Sequence, residues 1–219
     1  MTSQPNKVEP KPAPRLYLVT PRIEDATAFS APLAAALAAG DVAAVLLRLA
    51  DADERTQINR AKTLGAIVQE RDAALLLDGH AGLVARAGAD GAHATGIAGF
   101  TEAVRQLKPD WIVGAGGLAS RHDAMSAAEA NADYVMFGET DKAGERPSFE
   151  AIEERIAWWA EVFEAPCVGF AGSADEVAPL VKAGADFIAL GDWVWQESAA
   201  VAAVIADATK LMQVPETAT

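Results

Sequence analysis

The stretch Gly88–Thr95, which reads Gly-Ala-Asp-Gly-Ala-His-Ala-Thr, joins a tight turn to a short apolar run. A similar turn, with Gly or Asn followed by Asp, precedes three other apolar runs. Gly and Asn tolerate the left-handed backbone conformation that ends many helices. The repeat therefore predicts the same helix-to-strand turn before every second strand. The other three copies are Gly40-Asp41, Asn131-Ala132-Asp133 and Gly184-Ala185-Asp186.

Eight short apolar runs alternate with helical patterns along the chain. Nearly continuous apolar runs are typical of strands that are buried on both faces of a parallel sheet. Eight strand–helix units in a chain of this length predict an α/β fold with a single (β/α)8 TIM barrel. An open, doubly wound sheet ranks second, because no Gly-x-Gly-x-x-Gly follows the first run. The predicted strands are Arg15–Thr20, Ala43–Leu49, Ala74–Asp78, Gly91–Thr95, Trp111–Ala115, Tyr134–Gly138, Pro166–Phe170 and Phe187–Gly191.

Composition limits the class of protein. Of the 219 residues, 51% are hydrophobic and 22% are charged, which excludes a disordered chain. The net charge of −13 argues against nucleic acid as a partner, because nucleic-acid phosphates bind basic surfaces. No signal peptide is visible, and no apolar run reaches the ~18–20 residues that span a bilayer. The single cysteine, Cys167, fits a reducing cytoplasm.

We expect one barrel domain over residues 15–211 between two loose ends. Residues 1–14 carry four prolines and are expected to form a mobile, extended tail. Residues 212–219 are expected to fray at the other end of the chain.

Polar residues follow the predicted strands at their carboxyl ends, where barrels of this type place their active sites. Arg48 stands out because an unpaired charge inside a strand is costly. It either pairs with a carboxylate such as Asp78 or faces an anionic ligand, and both alternatives stay open. We expect His122 to reach the same rim from the loop after the fifth strand. The other rim residues are Asp51, Asp78, His80, Glu139, Asp141, Lys142 and Asp192.

The loops after the seventh and eighth strands predict a phosphate site. These loops are Phe170-Ala171-Gly172-Ser173 and Leu190-Gly191-Asp192, and their glycines let a phosphate approach the backbone N–H groups. Ser173 and Glu176 also have the spacing of a capping box, which predicts a helix start. The two interpretations are compatible, although the carboxylate of Asp192 would repel a phosphate.

Histidines and tryptophans supply the remaining candidates. His80, His93 and His122 show no metal-binding spacing, so no metal ligand is assigned. His93 alternates with apolar neighbours and is expected to be a packed, hydrogen-bonded histidine. Trp193 and Trp195 suit three roles: the wall of a ring-binding pocket, a lid, or the contact surface of a homodimer.

Several of these segments resemble the thiamine phosphate synthases and the related thiazole tautomerases. Leu16–Thr20 resembles the opening strand of that family, and Val45–Arg48 resembles its second strand with its arginine. Gly88–His93 is close to the family signature Gly-Ala-Asp-Gly-Val-His. Ala132–Gly138 matches the sixth strand, and Pro166–Gly172 and Gly184–Asp186 match the last two units. The resemblance covers roughly residues 15–210 and implies a (β/α)8 barrel.

The resemblance also implies a reaction and a site. The family joins hydroxymethylpyrimidine diphosphate to thiazole phosphate and releases pyrophosphate with the help of Mg²⁺. The two family aspartates that would bind the metal correspond to Gly79 and Ala98, and a family lysine corresponds to Ala50. Lys142 or Arg146 is the candidate for the lysine after the sixth strand. We therefore predict a divergent member with weak or no synthase activity, because Mg²⁺ prefers oxygen ligands and diphosphate departure needs cations.

Three functions stay open at this point. The first is an enzyme of thiamine biosynthesis, either a synthase with a rearranged site around Arg48 or a metal-independent tautomerase. A tautomerase needs an acid–base group, for which His122 and His80 are the candidates. The second is a non-catalytic binding or regulatory protein for a phosphorylated thiazole or pyrimidine. The third is a barrel recruited to other work through Trp193 and Trp195. The pocket residues assigned besides the phosphate loops are Asp78, Lys142 and Trp193.

Overall fold

Residues 11–141 and 143–213 are described by the computed structural model. Eight parallel strands form a closed barrel in sequence order, with β1 paired to β8. The predicted TIM barrel is thus confirmed, and the open sheet is excluded. The strands are β1 Arg15–Ile23, β2 Val42–Leu49, β3 Ala74–Asp78, β4 Gly91–Thr95, β5 Ile112–Gly116, β6 Tyr134–Phe137, β7 Cys167–Ala171 and β8 Phe187–Leu190.

A helix follows each strand and packs on the outside of the barrel. None of the described helices is long and apolar enough to cross a membrane. Short 3₁₀ segments precede three of the helices, at Ala81–Leu83, Ala174–Glu176 and Asp192–Trp195. The α-helices are α1 Ala26–Ala39, α2 Glu54–Gln69, α3 Val84–Ala87, α4 Ile97–Leu107, α5 Arg121–Glu129, α6 Phe149–Val162, α7 Val177–Lys182 and α8 Val201–Met212.

Most of the expected loose ends lie outside the described residues. Residues 1–10 and 214–219 are not described, and neither is Lys142. Of the expected amino-terminal tail, residues 11–14 are described, and the Lys11 ammonium contacts Asp186 at 2.8 Å. Met212 belongs to α8. The boundaries of the barrel domain stay a prediction.

Two apolar layers hold the barrel together. The larger layer fills the space between the strands and the surrounding helices. The smaller layer fills the interior of the barrel, where alternate residues of the strands point inward. Its buried members are Tyr17, Val19, Ala44, Leu46, Leu76, Tyr134, Met136, Val168 and Ala189. The interior is therefore packed and also holds two phenol hydroxyls that need polar partners.

Three of the four repeated turns have the predicted backbone conformation. Gly88, Asn131 and Gly184 have φ values of 68°, 64° and 99° in the left-handed region. Gly40 does not, because its backbone is extended with φ at −157°. A Cβ atom at Gly40 would lie 2.6 Å from Leu16 Cδ1. Close packing against β1, not chain reversal, thus requires glycine at this position.

The aspartates of the repeat connect neighbouring strands. In three copies, the carboxylate accepts a hydrogen bond from a backbone N–H near the start of the preceding strand. Such a group needs a partner because a buried N–H without a hydrogen bond is costly. Each aspartate thus fixes the start of one strand to the turn that begins the next. The pairs are Asp90 with Leu75 N at 2.7 Å, Asp133 with Val113 N at 2.6 Å, and Asp186 with Cys167 N at 2.8 Å.

Two glycines of β5 make room for large polar side chains inside the barrel. A Cβ at Gly114 would lie 1.9 Å from Cζ of Tyr134. A Cβ at Gly116 would lie 1.7 Å from Oε2 of Glu139 and 2.5 Å from Nε2 of His93. The first and third residues of the sequence Gly114-Ala115-Gly116-Gly117 thus have a packing role.

Replacing Gly114 tests this packing role. We expect Gly114→Ala to lower the free energy of unfolding by about 1–3 kcal/mol, because overpacking displaces the Tyr134 ring. Gly99→Ala is the matched control, since it lies in α4 with no atom within 4 Å of the added Cβ and alanine favours helix. Urea denaturation checks both variants. Wild-type stability in Gly114→Ala would show that the close approach has no energetic weight.

Candidate active site

A cavity of about 1060 Å³ opens at the carboxyl ends of the strands. It brings together most of the residues predicted from the sequence, and a parallel barrel collects the ends of all its strands on this face. Ala171 is buried at the end of β7, next to the cavity. Lys142 is outside the described residues. The predicted residues that line the cavity are Arg48, Asp78, His80, Gly172, Gly191, Asp192 and Trp193.

His122 is not among the residues that line the cavity. It lies in the first turn of α5 and is exposed. Ser120 caps this helix, because its hydroxyl accepts the N–H of Asp123 at 3.1 Å. The loop after β5 thus ends before His122. We expected this side chain to line the site, and it does not line the cavity.

Arg48 resolves one of the open alternatives in an unexpected way. Its guanidinium donates to the backbone carbonyl of Thr20 and to the carboxylate of Asp192. The predicted carboxylate partner, Asp78, is not the group it contacts, since Asp192 at the start of the 3₁₀ segment after β8 lies closer. Asp192, which would have repelled a phosphate as a free charge, is therefore neutralised by Arg48.

The Gly172 backbone has a carboxylate bound to it. The Gly172 N–H donates to Glu176 Oε2 at 2.7 Å, so Glu176 does not form the predicted capping box with Ser173, whose side chain makes no cap hydrogen bond. Arg146 holds the same carboxylate with two hydrogen bonds of 2.9 and 2.6 Å. Burial raises the pKa of Glu176, but Arg146 and the Gly172 N–H outweigh burial and lower it overall.

The two tryptophans after β8 are anchored in different places. The indole N–H of Trp193 donates to the Ala171 carbonyl at 3.0 Å, which holds its ring at the edge of the cavity. The indole N–H of Trp195 donates to the Val19 carbonyl at 2.8 Å, and its ring packs on Phe29 of α1. Only Trp193 lies where it can wall a ring-binding pocket.

A hydrogen-bonded histidine lies beneath the cavity. His93 is fully buried, and its Nδ1 lies 2.9 Å from the hydroxyl of Tyr134, as expected for a packed histidine. Its Nε2 lies 2.9 Å from Oε2 of Glu139, which lines the cavity. Burial alone lowers the pKa of His93, but the Glu139 carboxylate outweighs burial, so its pKa lies above the ordinary value.

The donor set of the cavity does not fit the Mg²⁺ that the family resemblance implies. The described residues contain no group of three or more His, Cys, Asp or Glu side chains that is arranged to hold a metal. Asp192 is paired with Arg48, Glu139 is paired with His93, and Asp141 accepts two backbone N–H groups of its own loop. Asp78 and one oxygen of Glu139 are left, and burial raises the pKa of Asp78 despite the opposing charge of His93.

Several known proteins are similar to this chain in sequence. Residues 16–193 match the profile of a family described as thiamine monophosphate synthase. The chain is 45% identical over 202 residues to a protein of Rhodospirillum centenum named thiamine-phosphate synthase, covering 91% of this chain and 98% of the relative. A protein of that name from Hyphomonas neptunium is 39% identical over 90% of this chain and 93% of its own length.

A solved structure supports the same fold. Thiamine phosphate pyrophosphorylase from Pyrococcus furiosus superposes with a TM-score of 0.72 at 21% sequence identity. The match covers 91% of this chain and 95% of the other. At this identity the likeness concerns the course of the backbone.

The pairing of His93 with Glu139 predicts a pH dependence of stability. Because the folded-state pKa of His93 is raised above 6.5, its contribution is complete below that pH and is lost as the pH rises through the raised value. We expect the unfolding free energy of the wild type to fall over this interval, by at most about 1.4 kcal/mol per pH unit.

Two histidine variants separate the contribution of His93 to the pH dependence of stability from that of other titrating groups. His93→Gln removes the titrating group, so the decline above pH 6.5 should become shallower. His122→Gln makes the same substitution at an exposed site and should keep the wild-type slope. Urea denaturation at a series of pH values measures all three proteins. Equal slopes in the wild type and His93→Gln would contradict the assignment.

Proposed function

Because the chain belongs to the thiamine monophosphate synthase family, we propose that it serves thiamine biosynthesis by binding a phosphorylated thiazole or pyrimidine precursor in this cavity. The observation that carries the proposal is the position of Arg146 and the Gly172 N–H, which converge on the Glu176 carboxylate beside the cavity that Gly172 lines. A guanidinium and a backbone N–H are the groups that commonly bind phosphate. The relatives named thiamine-phosphate synthase support the choice of ligand.

The proposed phosphate site lies between the ends of β7 and β8. The phosphate replaces the Glu176 carboxylate on the Gly172 N–H and on Arg146, and the backbone beside Gly191 borders the other side. Ala171 contributes its carbonyl, which holds the Trp193 indole at the cavity edge. The indole face then packs against the aromatic ring of the ligand. Arg48, once it leaves Asp192, is the cation that faces a second anionic group.

We expect synthase turnover in this cavity to be weak. The family reaction uses Mg²⁺ and cations to stabilise a departing diphosphate, whereas the described carboxylates here are mostly held by other side chains or by backbone. Asp78 and one oxygen of Glu139 are the cavity oxygens that these pairings leave for a hard cation. Binding of a phosphorylated precursor is the part of the family's activity that these residues support.

A metal-independent tautomerase is the second candidate function. The observation that favours it is the placement of His80 and Glu139 on the same cavity, since tautomerisation requires an acid–base group and no metal. His122 is the weaker of the two histidine candidates from the sequence, because it does not line the cavity.

The compartment and the oligomeric state belong to the same proposal. Burial raises the pKa of the Cys167 thiol to about 12, so the single cysteine is unreactive and compatible with a reducing cytoplasm. We propose the cytoplasm as its compartment, because a chain with a single cysteine forms no internal disulfide and needs no oxidising environment. A homodimer stays a prediction from the sequence.

Calorimetry and a turnover assay test the proposed function together. We expect thiazole phosphate to bind to the wild type without added metal. With both family substrates and Mg²⁺, we expect turnover far below the ~10 s⁻¹ of a median enzyme. Heat of binding without turnover supports the proposal. If neither substrate binds, the proposed function is wrong. If turnover with Mg²⁺ reaches the rate of an ordinary enzyme, the predicted loss of synthase activity is wrong.

Replacing Glu176 tests the location of the phosphate. Glu176→Gln removes the charge that competes for Arg146 and the Gly172 N–H, so we expect thiazole phosphate to bind about tenfold more tightly, or about 1.4 kcal/mol. Asp175→Asn is the matched control, because it removes one charge from an exposed neighbour and should change affinity little. Calorimetry measures both. Weaker binding by Glu176→Gln would show that Glu176 supports the ligand and does not compete with it.

A further inference from the structure

A continuous chain of hydrogen-bonded side chains crosses the interior of the barrel. The Tyr17 and Tyr134 hydroxyls lie 2.8 Å apart, and Tyr134 lies 2.9 Å from His93 Nδ1. His93 Nε2 then lies 2.9 Å from Glu139 Oε2. Tyr17, Tyr134 and His93 are buried, with 2%, 6% and 0% exposure. The chain ends at Glu139, whose side chain is 15% exposed and borders the cavity.

The strand β5 leaves space for this chain of side chains. Gly114 and Gly116 leave the space that Tyr134, His93 and Glu139 occupy. Four polar side chains from β1, β4, β6 and the loop after β6 replace apolar residues that would fill the same interior at lower desolvation cost. A fully bonded polar chain in a packed interior therefore calls for an explanation besides stability.

The chain orients one carboxylate toward the cavity. Glu139 Oε2 is held by His93, whereas its Oε1 accepts no hydrogen bond from any side chain or backbone group in the described part of the chain. Tyr134 fixes the orientation of the imidazole, and its ring stacks on His93 with centroids 5.7 Å apart. A carboxylate held by a histidine that is itself held by a third group is the arrangement of an oriented acid–base group.

We propose that Glu139 is the acid–base group of this cavity and that His93, held by Tyr134, is the residue that positions it. Its substrate class is a heteroaromatic ring whose phosphate is anchored beside Gly172. The identity of that ligand rests on the proposed function, whereas the role of Glu139 does not depend on any metal.

The proton transfer is balanced without a co-reactant. An O–H bond forms at Glu139 Oε1 as a C–H or N–H bond of the ring breaks, and the electron pair stays in the ring. Return of the proton to a second ring atom breaks the O–H bond and restores the carboxylate. The net change is an isomerisation. Charges that face His93 are Glu139 and Asp78, and the two phenols of Tyr17 and Tyr134 complete its ionisable surroundings.

His80 is the competing base in the same cavity. It is partly exposed at the start of the 3₁₀ segment after β3. Within the described ranges its ring makes no hydrogen bond, whereas Glu139 is fixed by a chain of three buried side chains. Since a base must be held within reach of the proton it abstracts, the geometry favours Glu139.

Exchange of ring hydrogens tests this assignment. Thiazole phosphate is incubated with the protein in D₂O, and NMR follows the loss of each ring C–H signal, with calorimetry of the same samples. We expect the wild type to accelerate exchange over buffer and Glu139→Gln to lose about 100-fold of it or more, with affinity changed only a few-fold. Glu139→Asp, which withdraws the carboxylate, should also be slow. Glu129→Gln, an exposed glutamate at the end of α5, is the matched control.

A second variant tests the positioning role. Tyr134→Phe keeps the ring that fills the space beside Gly114 and removes the hydroxyl that contacts His93 and Tyr17. We expect exchange to slow about tenfold and the pH at half-maximal exchange to shift, whereas a structural role alone would leave that pH unchanged. An unchanged pH profile in Tyr134→Phe overturns the positioning role of His93.

The remaining outcomes separate this proposal from the proposed function. Binding by the wild type without accelerated exchange overturns the role of Glu139 and leaves the ligand assignment intact. Wild-type exchange in Glu139→Gln, or its loss in His80→Gln with Glu139 present, transfers the role to His80. Absence of binding overturns the proposed function and, with it, the substrate class.

Discussion

The hydrogen bond between His93 and Glu139 is the constraint on which the carboxyl face of the barrel depends. It holds a carboxylate at the edge of a barrel interior that is filled mainly by apolar side chains, and the surrounding sequence adapts to it. Gly116 leaves space for the pair, Gly114 leaves space for the tyrosine behind it, and Tyr17 satisfies that tyrosine. Burial of this histidine costs little folding free energy because both of its ring nitrogens have hydrogen-bond partners.

Internal pairing also explains how an acidic chain provides an anion site. The net charge of −13 acts against a phosphate at long range, and both Arg48 at the cavity and Arg146 beside it are already held by carboxylates. A phosphate carries more charge than one carboxylate, so it can compete with Glu176 for Arg146. The same pairing withdraws oxygen ligands from a metal, so phosphate binding and metal-independence have a common cause.

The sequence predicted the fold well because its signals are local. Apolar runs located all eight strands, and three of the four predicted left-handed turns are present. Gly40 was the exception, because its glycine is required by packing against Leu16, which lies on another strand. The aspartates after these turns were a missed signal: their spacing marks the carboxylates that hold the preceding strand.

The hydrogen-bond partners within the site could not be predicted from the sequence, because they depend on which side chains meet across the rim of the barrel. Arg48 contacts Asp192, 144 residues away, and not the nearer candidate Asp78. Glu176 has the spacing of a capping box, yet its carboxylate reaches Gly172 because Arg146 holds it there. Glu139 was one polar residue among many on the rim, and only its contact with a buried histidine distinguishes it.

The most direct test of the account is the titration of His93 in protein labelled with ¹⁵N-histidine, with its NMR signals assigned through the His93→Gln variant. The account predicts a midpoint above 6.5 in the wild type and a lower midpoint in Glu139→Gln, because the carboxylate raises the pKa of the buried imidazole. A His93 midpoint that is the same in both proteins would contradict the pairing from which the site has been derived.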